Sequence, residues 1–230
     1  MKLSIVIPCY NEEETLEKIF NKVIKFDEFD KEIIIIDDCS NDRTPEIINK
    51  LKKNNENLKS ERHSENMGKG SALRTGFRIA QGDIILIQDA DLEYDPNDYH
   101  NLLKPFIESD AQVVYGSRFL GGRYVRLHYF WHFVANKLLT TATNIFTNLN
   151  MTDMETGYKV FKKECLRDIT LREKSFGIEP EITMKLAKKK FIFYEVPISY
   201  KGRSYSDGKK ITIKDAFRAI YCIIWYRFFD

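Results

Sequence analysis

The sequence predicts an α/β protein built on a mostly parallel central sheet. Three observations carry that prediction. Short apolar runs such as Ile-Ile-Ile-Ile at 33–36 and Ile-Ile-Leu-Ile at 84–87 are too continuous for half-wet strands. They fit strands buried on both faces. Helix-like segments lie between them, and strand–helix alternation implies a layered α/β architecture. Finally, the runs end in acidic residues, Asp37-Asp38 and Asp89-Ala90-Asp91. In open α/β sheets, ligands bind outside the carboxyl ends of the strands.

Each element has its own signal. Residues 3–8 form a first strand. Residues 12–25 have helical composition, with Leu16, Ile19, Phe20, Val23 and Ile24 on one stripe. The second strand, 33–36, is followed by Thr44-Pro45, expected as an N-cap and first helical position. Residues 58–62 are a short strand, 69–80 a helix and 84–88 the next strand. Asp95-Pro96 turns the chain into a helix over 99–108, and strand 113–115 closes at Gly116. After Gly121-Gly122 the composition changes. Residues 124–148 are rich in aromatics and Leu, and a polar stretch spans 153–157. A strand ends near Phe161, a helix covers 179–188 and a strand 191–196. A Gly/Ser/Lys-rich loop at 202–210 precedes a final helix over 213–229. The change divides the chain into a first half, 1–122, and a second half, 123–230, within one domain.

Composition narrows the function. The chain has 230 residues, is 43% hydrophobic and carries a formal charge of +2. That is enough chain for a substantial core. The balanced charge argues against a general nucleic-acid binder. The four cysteines have neither C-x-x-C nor zinc-finger spacing, so free thiols in a reducing cytosol are expected. No leader and no 18-residue apolar run is visible, which predicts a cytoplasmic protein without a membrane span.

The chemistry centres on Asp89 and Asp91. Side chains at i and i+2 of an extended backbone share a face. Two carboxylates there can converge on a hard divalent cation, which takes one or two carboxylates and completes its shell with substrate phosphates. A P-loop is excluded, because Gly68-Lys69 is followed by Gly70 and His63 stands five residues before Gly68. An aspartyl-nucleophile phosphatase would need Thr or Val where Glu93 stands. A non-catalytic sensor of the same phosphate-bearing ligand is a rival reading, and metal-dependent turnover separates the two.

Five motifs in order resemble the family 2 glycosyltransferases, in the polyprenyl-phosphate, dolichol-phosphate-mannose-synthase-like branch. They are Ile5-Val-Ile-Pro8-Cys-Tyr10-Asn11-Glu12, Ile36-Asp37-Asp38-Cys-Ser40-Asn-Asp42-Arg43-Thr44, Asn66-Met-Gly68-Lys69-Gly70, Asp89-Ala90-Asp91 and Gly116-Ser117-Arg118. The resemblance covers essentially the whole chain. It implies a GT-A type, Rossmann-like nucleotide-sugar fold and an inverting, metal-dependent hexosyl transfer. GDP-mannose is the favoured donor and UDP-glucose the alternative. The acceptor implied is a polyprenyl phosphate, with a glycan hydroxyl as runner-up.

The resemblance also implies roles. Pro8, Tyr10, Glu12 and Asp37 line the nucleobase pocket, with Asp38, Gly68 and Lys69 beside the donor. Asp89 and Asp91 hold Mg²⁺ or Mn²⁺ on the diphosphate with Ala90 beside the donor, and Glu93 is a further metal-side contact where relatives often carry Gln. Arg118 faces the phosphates, and Arg203 and Lys209 match a mobile phosphate-binding loop. A phosphate acceptor needs no base, whereas a hydroxyl acceptor does. Glu155, Glu179 and Glu181 are the candidate bases; Glu155 is preferred, because Glu179 and Glu181 are expected to cap a helix, whose first turn favours acidic residues. The aromatic stretch from Tyr124 to Phe133, flanked by Arg123, Arg126 and Lys137, suits a headgroup interface. A peripheral contact at the cytoplasmic face of the membrane, or a separate anchor protein, is the expected partner.

Overall fold

A computed structural model describes residues 1–121, 129–202 and 213–230, the last segment with side chains from residue 216 onward. In chain order the elements are β1 (Lys2–Cys9), α1 (Leu16–Lys25), β2 (Asp30–Asp37), α2 (Thr44–Lys53), β3 (Leu58–Arg62), α3 (Lys69–Ile79) and β4 (Ile84–Ile87). There follow α4 (Tyr99–Glu108), β5 (Val113–Ser117), α5 (Phe130–Thr147), β6 (Lys159–Lys162), α6 (Ile178–Lys188), β7 (Phe193–Pro197) and α7 (Ile213–Phe228).

The sheet has seven strands in the order β3-β2-β1-β4-β6-β5-β7. Neighbours pair in parallel except at β6, which is antiparallel to both β4 and β5. Strand alternation splits the core in two. Leu3, Ile5, Ile7, Ile33 and Ile35 face α1, α2 and α4. Val6, Ile34 and Ile36 face the other way, toward α3, α6 and α7. Strands covered on both faces must be apolar throughout, which is why these runs are unbroken.

Two features of this topology place the site. The chain steps from β1 to β2 and β3 on one side, then returns to β4 on the other. The crevice between β1 and β4 is therefore a topological switch point. In addition, β6 runs against β4. Residues leading into β6 consequently lie at the same sheet edge as residues leaving β4, so 153–157 meets 89–91.

Two helix starts differ from expectation. The first helix begins at Leu16, not at residue 12. The amides of Glu12 and Glu13 are spent on Thr44 Oγ1 and Asp42 Oδ2 of the neighbouring loop, at 2.9 and 3.1 Å. The second begins at Thr44 itself, with Arg43 at the N-cap position. Asp42 Oδ1 accepts the Thr44 amide at 3.0 Å and supplies the missing acceptor.

Candidate active site

A cleft of about 940 Å³ opens at the carboxyl edge of β1 and β4. A second cavity of about 1000 Å³ lies at the opposite edge, against Asp83, Ile84 and Lys162. The first holds Asp89 and Asp91 together with Pro8, Tyr10, Glu12 and Asp38. The second holds none of these, so the chemistry belongs to the first.

The β1 and β2 loops form one wall and are laced together. Asp38 N donates to Cys9 O at 2.8 Å. Asn11 N donates to Ser40 Oγ at 3.0 Å and Asn41 N to Asn11 Oδ1 at 2.8 Å. The two adjacent aspartates then diverge. Asp37 is 2% exposed and lies outside the cleft lining. Its Oδ1 accepts Ser40 N at 2.9 Å, and Arg62 Nε stands 3.4 Å from Oδ2. Asp38 braces the α3 loop: its oxygens accept Met67 N at 2.9 Å and Gly68 N at 2.7 Å, and His63 Nδ1 lies 2.7 Å away.

That brace delivers Lys69. Gly68 takes φ of +90°, and a Cβ there would stand 2.4 Å from Lys174 O. The close approach seats α3 so that Lys69 Nζ reaches Asp89 Oδ1 at 2.9 Å and Glu179 Oε1 at 3.0 Å. Burial works against the ammonium, but Asp89 and Glu179 outweigh it and hold Lys69 protonated well above the ordinary lysine range.

A buried platform supports Asp89 from below. Gln88 Oε1 accepts from Tyr99 OH at 2.7 Å and Tyr158 OH at 2.8 Å, and Gln88 Nε2 donates to Asp89 O at 2.9 Å. Tyr94 OH accepts Gly157 N at 2.8 Å. A Cβ on Gly157 would sit 2.5 Å from Asp89 Oδ2, so only glycine lets this turn lie against the carboxylate. Asp91 Oδ1 accepts Glu93 N at 3.1 Å, folding the motif back on itself. One oxygen of Glu93 accepts from Tyr200 OH at 2.9 Å, and Lys201 N donates to Glu93 O at 2.9 Å. The segment leading to Gly202 is thereby tied to the acidic turn. Arg203 and Lys209 lie outside the described residues.

The far wall comes from the second half of the chain. Arg118 makes a double contact with Asp153, Nε to Oδ2 and Nη2 to Oδ1, both at 2.6 Å. Burial alone would raise the Asp153 pKa; the Arg118 guanidinium holds it below the ordinary range. Arg118 lines the cleft with its charge already matched. Glu155 is pushed up to about 7, first by burial and then by Glu179. Lys159 is lowered to about 8 by burial, and its ammonium pins the turn through Met154 O and Thr156 O at 2.7 and 2.6 Å.

The capping expectation for α6 needs correction. Glu179 and Glu181 do stand in its first turn. Their carboxylates, however, are committed elsewhere. Glu179 binds Lys69 in the cleft. Glu181 accepts the amides of Arg172 and Glu173, both at 2.7 Å, and Lys185 at 2.9 Å. The helix is almost wholly buried along 178–186, so its acidic residues need partners from the protein rather than from solvent. Asp153, Tyr94, Gly157 and Tyr200 are site residues that sequence reasoning missed. The polar stretch at 153–157 between apolar segments was the available signal for the first and third. Nothing local marks the two tyrosines, which meet across the cleft rim as an isolated bridge.

The donor set suits a hard divalent cation. Asp89 and Asp91 offer hard oxygens on one rim of the cleft, and a cationic group, Lys69 Nζ, already stands against Asp89. Among the described residues no three His, Cys, Asp or Glu side chains form a preformed cage. Two carboxylates with the shell completed by phosphate and water is the usual arrangement for Mg²⁺.

Beside the cleft mouth the surface is apolar. Trp131, which lines the cleft, is 74% exposed, and Leu138 and Ile145 continue its stripe at seven-residue intervals along α5. On the neighbouring α7, Phe217 is 70% exposed, and Ile224 and Phe228 extend that face. The two helices meet through Phe146 and Phe228, with ring centroids 5.7 Å apart. Among the described residues no helix is long and apolar enough to cross a membrane.

Residues 4–170 match the family model for Glycosyl transferase family 2. The chain belongs to that family. It is 30% identical to a dolichol-phosphate mannosyltransferase of Pyrococcus furiosus over 96% of its own length, and spans 63% of that protein. It is 28% identical to a UDP-N-acetylglucosamine–dolichyl-phosphate N-acetylglucosaminyltransferase of Methanococcus voltae, over 96% of this chain and 94% of that protein. In fold it is similar to the GT-A enzyme glucosyl-3-phosphoglycerate synthase of Mycobacterium tuberculosis, solved with UDP. The TM-score is 0.74 at 16% identity, covering 98% of this chain and 80% of that one.

Proposed function

We propose that this chain transfers a hexose, with inversion, from a nucleoside diphosphate sugar to a polyprenyl phosphate at the cytoplasmic face of a membrane. One observation carries the reading. A single cleft joins the strand-end carboxylates Asp89 and Asp91 to the exposed aromatic face that begins at Trp131. A polar donor and a lipid-linked acceptor can meet only where such surfaces adjoin. The names of the relatives support the lipid phosphate class.

Pro8, Tyr10 and Glu12 would receive the nucleoside, and Asp89 and Asp91 would hold Mg²⁺ or Mn²⁺ against the diphosphate. The bound cation supplies neutralisation of the leaving diphosphate. Lys69 adds a fixed positive charge beside it, which is effective because it is preorganised and shielded. The acceptor phosphate is already an anion and attacks the anomeric carbon as the bond to the diphosphate breaks. Arg118 holds the rim through Asp153, and Tyr200 ties the segment ending at Gly202 to Glu93.

Mannose is the favoured sugar, supported by the name of the Pyrococcus furiosus relative, a dolichol-phosphate mannosyltransferase, and GDP-mannose is the donor proposed for it. UDP-glucose transfer, to a lipid phosphate or a glycan hydroxyl, is the second reading. Glu155 favours its hydroxyl form, because a cleft carboxyl with a pKa of about 7 is matched to general-base work. The test is a donor panel with Mn²⁺ and a short polyprenyl phosphate, scored for lipid-linked sugar. Product formed only on soluble hydroxyl acceptors would reject the lipid reading.

A further inference from the structure

The second cavity, at the sheet edge away from the catalytic cleft, has no part in the chemistry above. Its volume of about 1000 Å³ is that of a small-molecule site. Buried Phe77, Ile84 and Ile85 give it an apolar lining, which half-buried Phe106, Leu166 and Ile169 extend. Five basic side chains and two acidic ones line the same cavity. The whole chain carries a formal charge of only +2, so this excess is a local concentration.

The charges are not equally available. Arg74 is committed to Glu173 O at 3.2 Å and Ser71 Oγ at 3.1 Å, and Arg78 to Glu61 at 2.9 Å. Asp83 Oδ2 accepts the Lys2 amide at 2.8 Å. Among the described residues the side chains of Lys162, Lys163 and Arg167 make no hydrogen bond or ion pair, and Glu164 is the carboxylate left beside them. All four lie on the short stretch that leaves β6. Crowded like charges repel, and the low-dielectric walls of a cavity focus their field. Three cations facing one carboxylate call for a dianion. A phosphate monoester is close to a dianion at neutral pH, and the guanidinium fork of Arg167 matches its oxygens. The apolar lining beside those cations calls for an apolar body joined to the phosphate. A basic patch on a convex surface meets only water and salt, whereas these charges border a concave apolar lining.

We propose that this cavity binds a small phosphate monoester with an apolar body. Lys162, Lys163 and Arg167 hold the phosphate, and Leu166 and Ile169 receive the body. The ester is a soluble one rather than a lipid headgroup, because the exposed aromatic face that begins at Trp131 adjoins the other sheet edge. The site is distinct from the catalytic cleft, since no residue lines both cavities.

The experiment is calorimetric titration of the full chain with phenyl phosphate, beside inorganic phosphate for the charge alone and phenol for the body alone. No divalent cation is added, so none draws a phosphate to Asp89 and Asp91. Phenyl phosphate should bind saturably and at least about tenfold more tightly than either fragment. Lys163→Glu combined with Arg167→Glu should weaken it by about tenfold or more, since both residues are exposed and their charge is reversed. Lys52→Glu combined with Lys53→Glu makes an equal charge change on α2, outside the lining, and should leave binding intact. Absence of saturable binding to the unaltered chain overturns the proposal. Inorganic phosphate binding as tightly as phenyl phosphate overturns it as well, because the apolar lining is then unused. Equal weakening by the two pairs of substitutions would assign the binding to net charge, and no weakening by the first pair would place it elsewhere; both overturn it. Thermal melts verify folding. Should the charge reversal fail to fold, Lys163→Gln combined with Arg167→Gln decides by the same comparison.

Discussion

The carboxyl edge of β1 and β4 and the outer face of α5 and α7 adjoin the same cleft, yet they are built on opposite principles. At the strand edge nearly every polar group is already bonded. Asp38 holds two amides and a histidine, Gln88 holds two tyrosines, and Arg118 holds Asp153. On the helical face, Trp131, Leu138, Ile145 and Phe217 project outward without cover. A bonded polar network preorganises charge and resists rearrangement. An uncovered apolar face has gained nothing from folding and gains only when something apolar meets it. The first arrangement suits a diphosphate, and the second suits a lipid.

The largest expected effect falls at the strand edge. Asp91→Asn should reduce Mn²⁺-dependent sugar transfer on the order of 10²-fold or more while the thermal midpoint barely moves. Near-normal turnover would remove the metal role from this pair. Arg118→Met tests the network itself. It strands Asp153 as an unpaired buried charge and should lower stability by about 3–5 kcal/mol in urea unfolding. A loss under 1 kcal/mol would mean that the edge is less tightly braced than its contacts imply.

The helical face should behave in the reverse manner. Phe217→Ser combined with Ile224→Ser should leave nucleotide binding intact but weaken flotation with anionic vesicles about tenfold. Unchanged flotation would separate this face from the membrane.

The smallest effect is a pH dependence at the junction of the two regions. Folding raises the Glu155 pKa from 4.5 to about 7. The folded chain then holds a proton that the unfolded chain has released, so stability falls as pH rises from about 4.5 to 7. Glu155→Gln removes that loss. Its melting temperature relative to the unaltered chain should climb by a few degrees between pH 5 and pH 7.5, and a flat difference would show that Glu155 stays ionised.

Much of this molecule was legible in the chain itself. The apolar runs at 33–36 and 84–87 announce doubly covered strands, because a parallel sheet with helices on both faces leaves no polar side. Asp89-Ala90-Asp91 announces an acidic strand end, because i and i+2 share a face whatever the rest of the fold does. These are local consequences of backbone geometry. Glu179 was misjudged for the same reason: within its own segment a carboxylate in a first helical turn looks like a cap. Its partner, Lys69, is 110 residues away, and only the packing of α3 against the 173–175 loop brings them to 3.0 Å. The antiparallel insertion of β6 is likewise invisible locally, yet it carries Glu155 and Gly157 to Asp89. Sequence by itself determined the strands, their acidic ends and the family. Tertiary structure alone decided which carboxylates are spent on bracing and which line the cleft, since that depends on the distances between segments far apart in the chain.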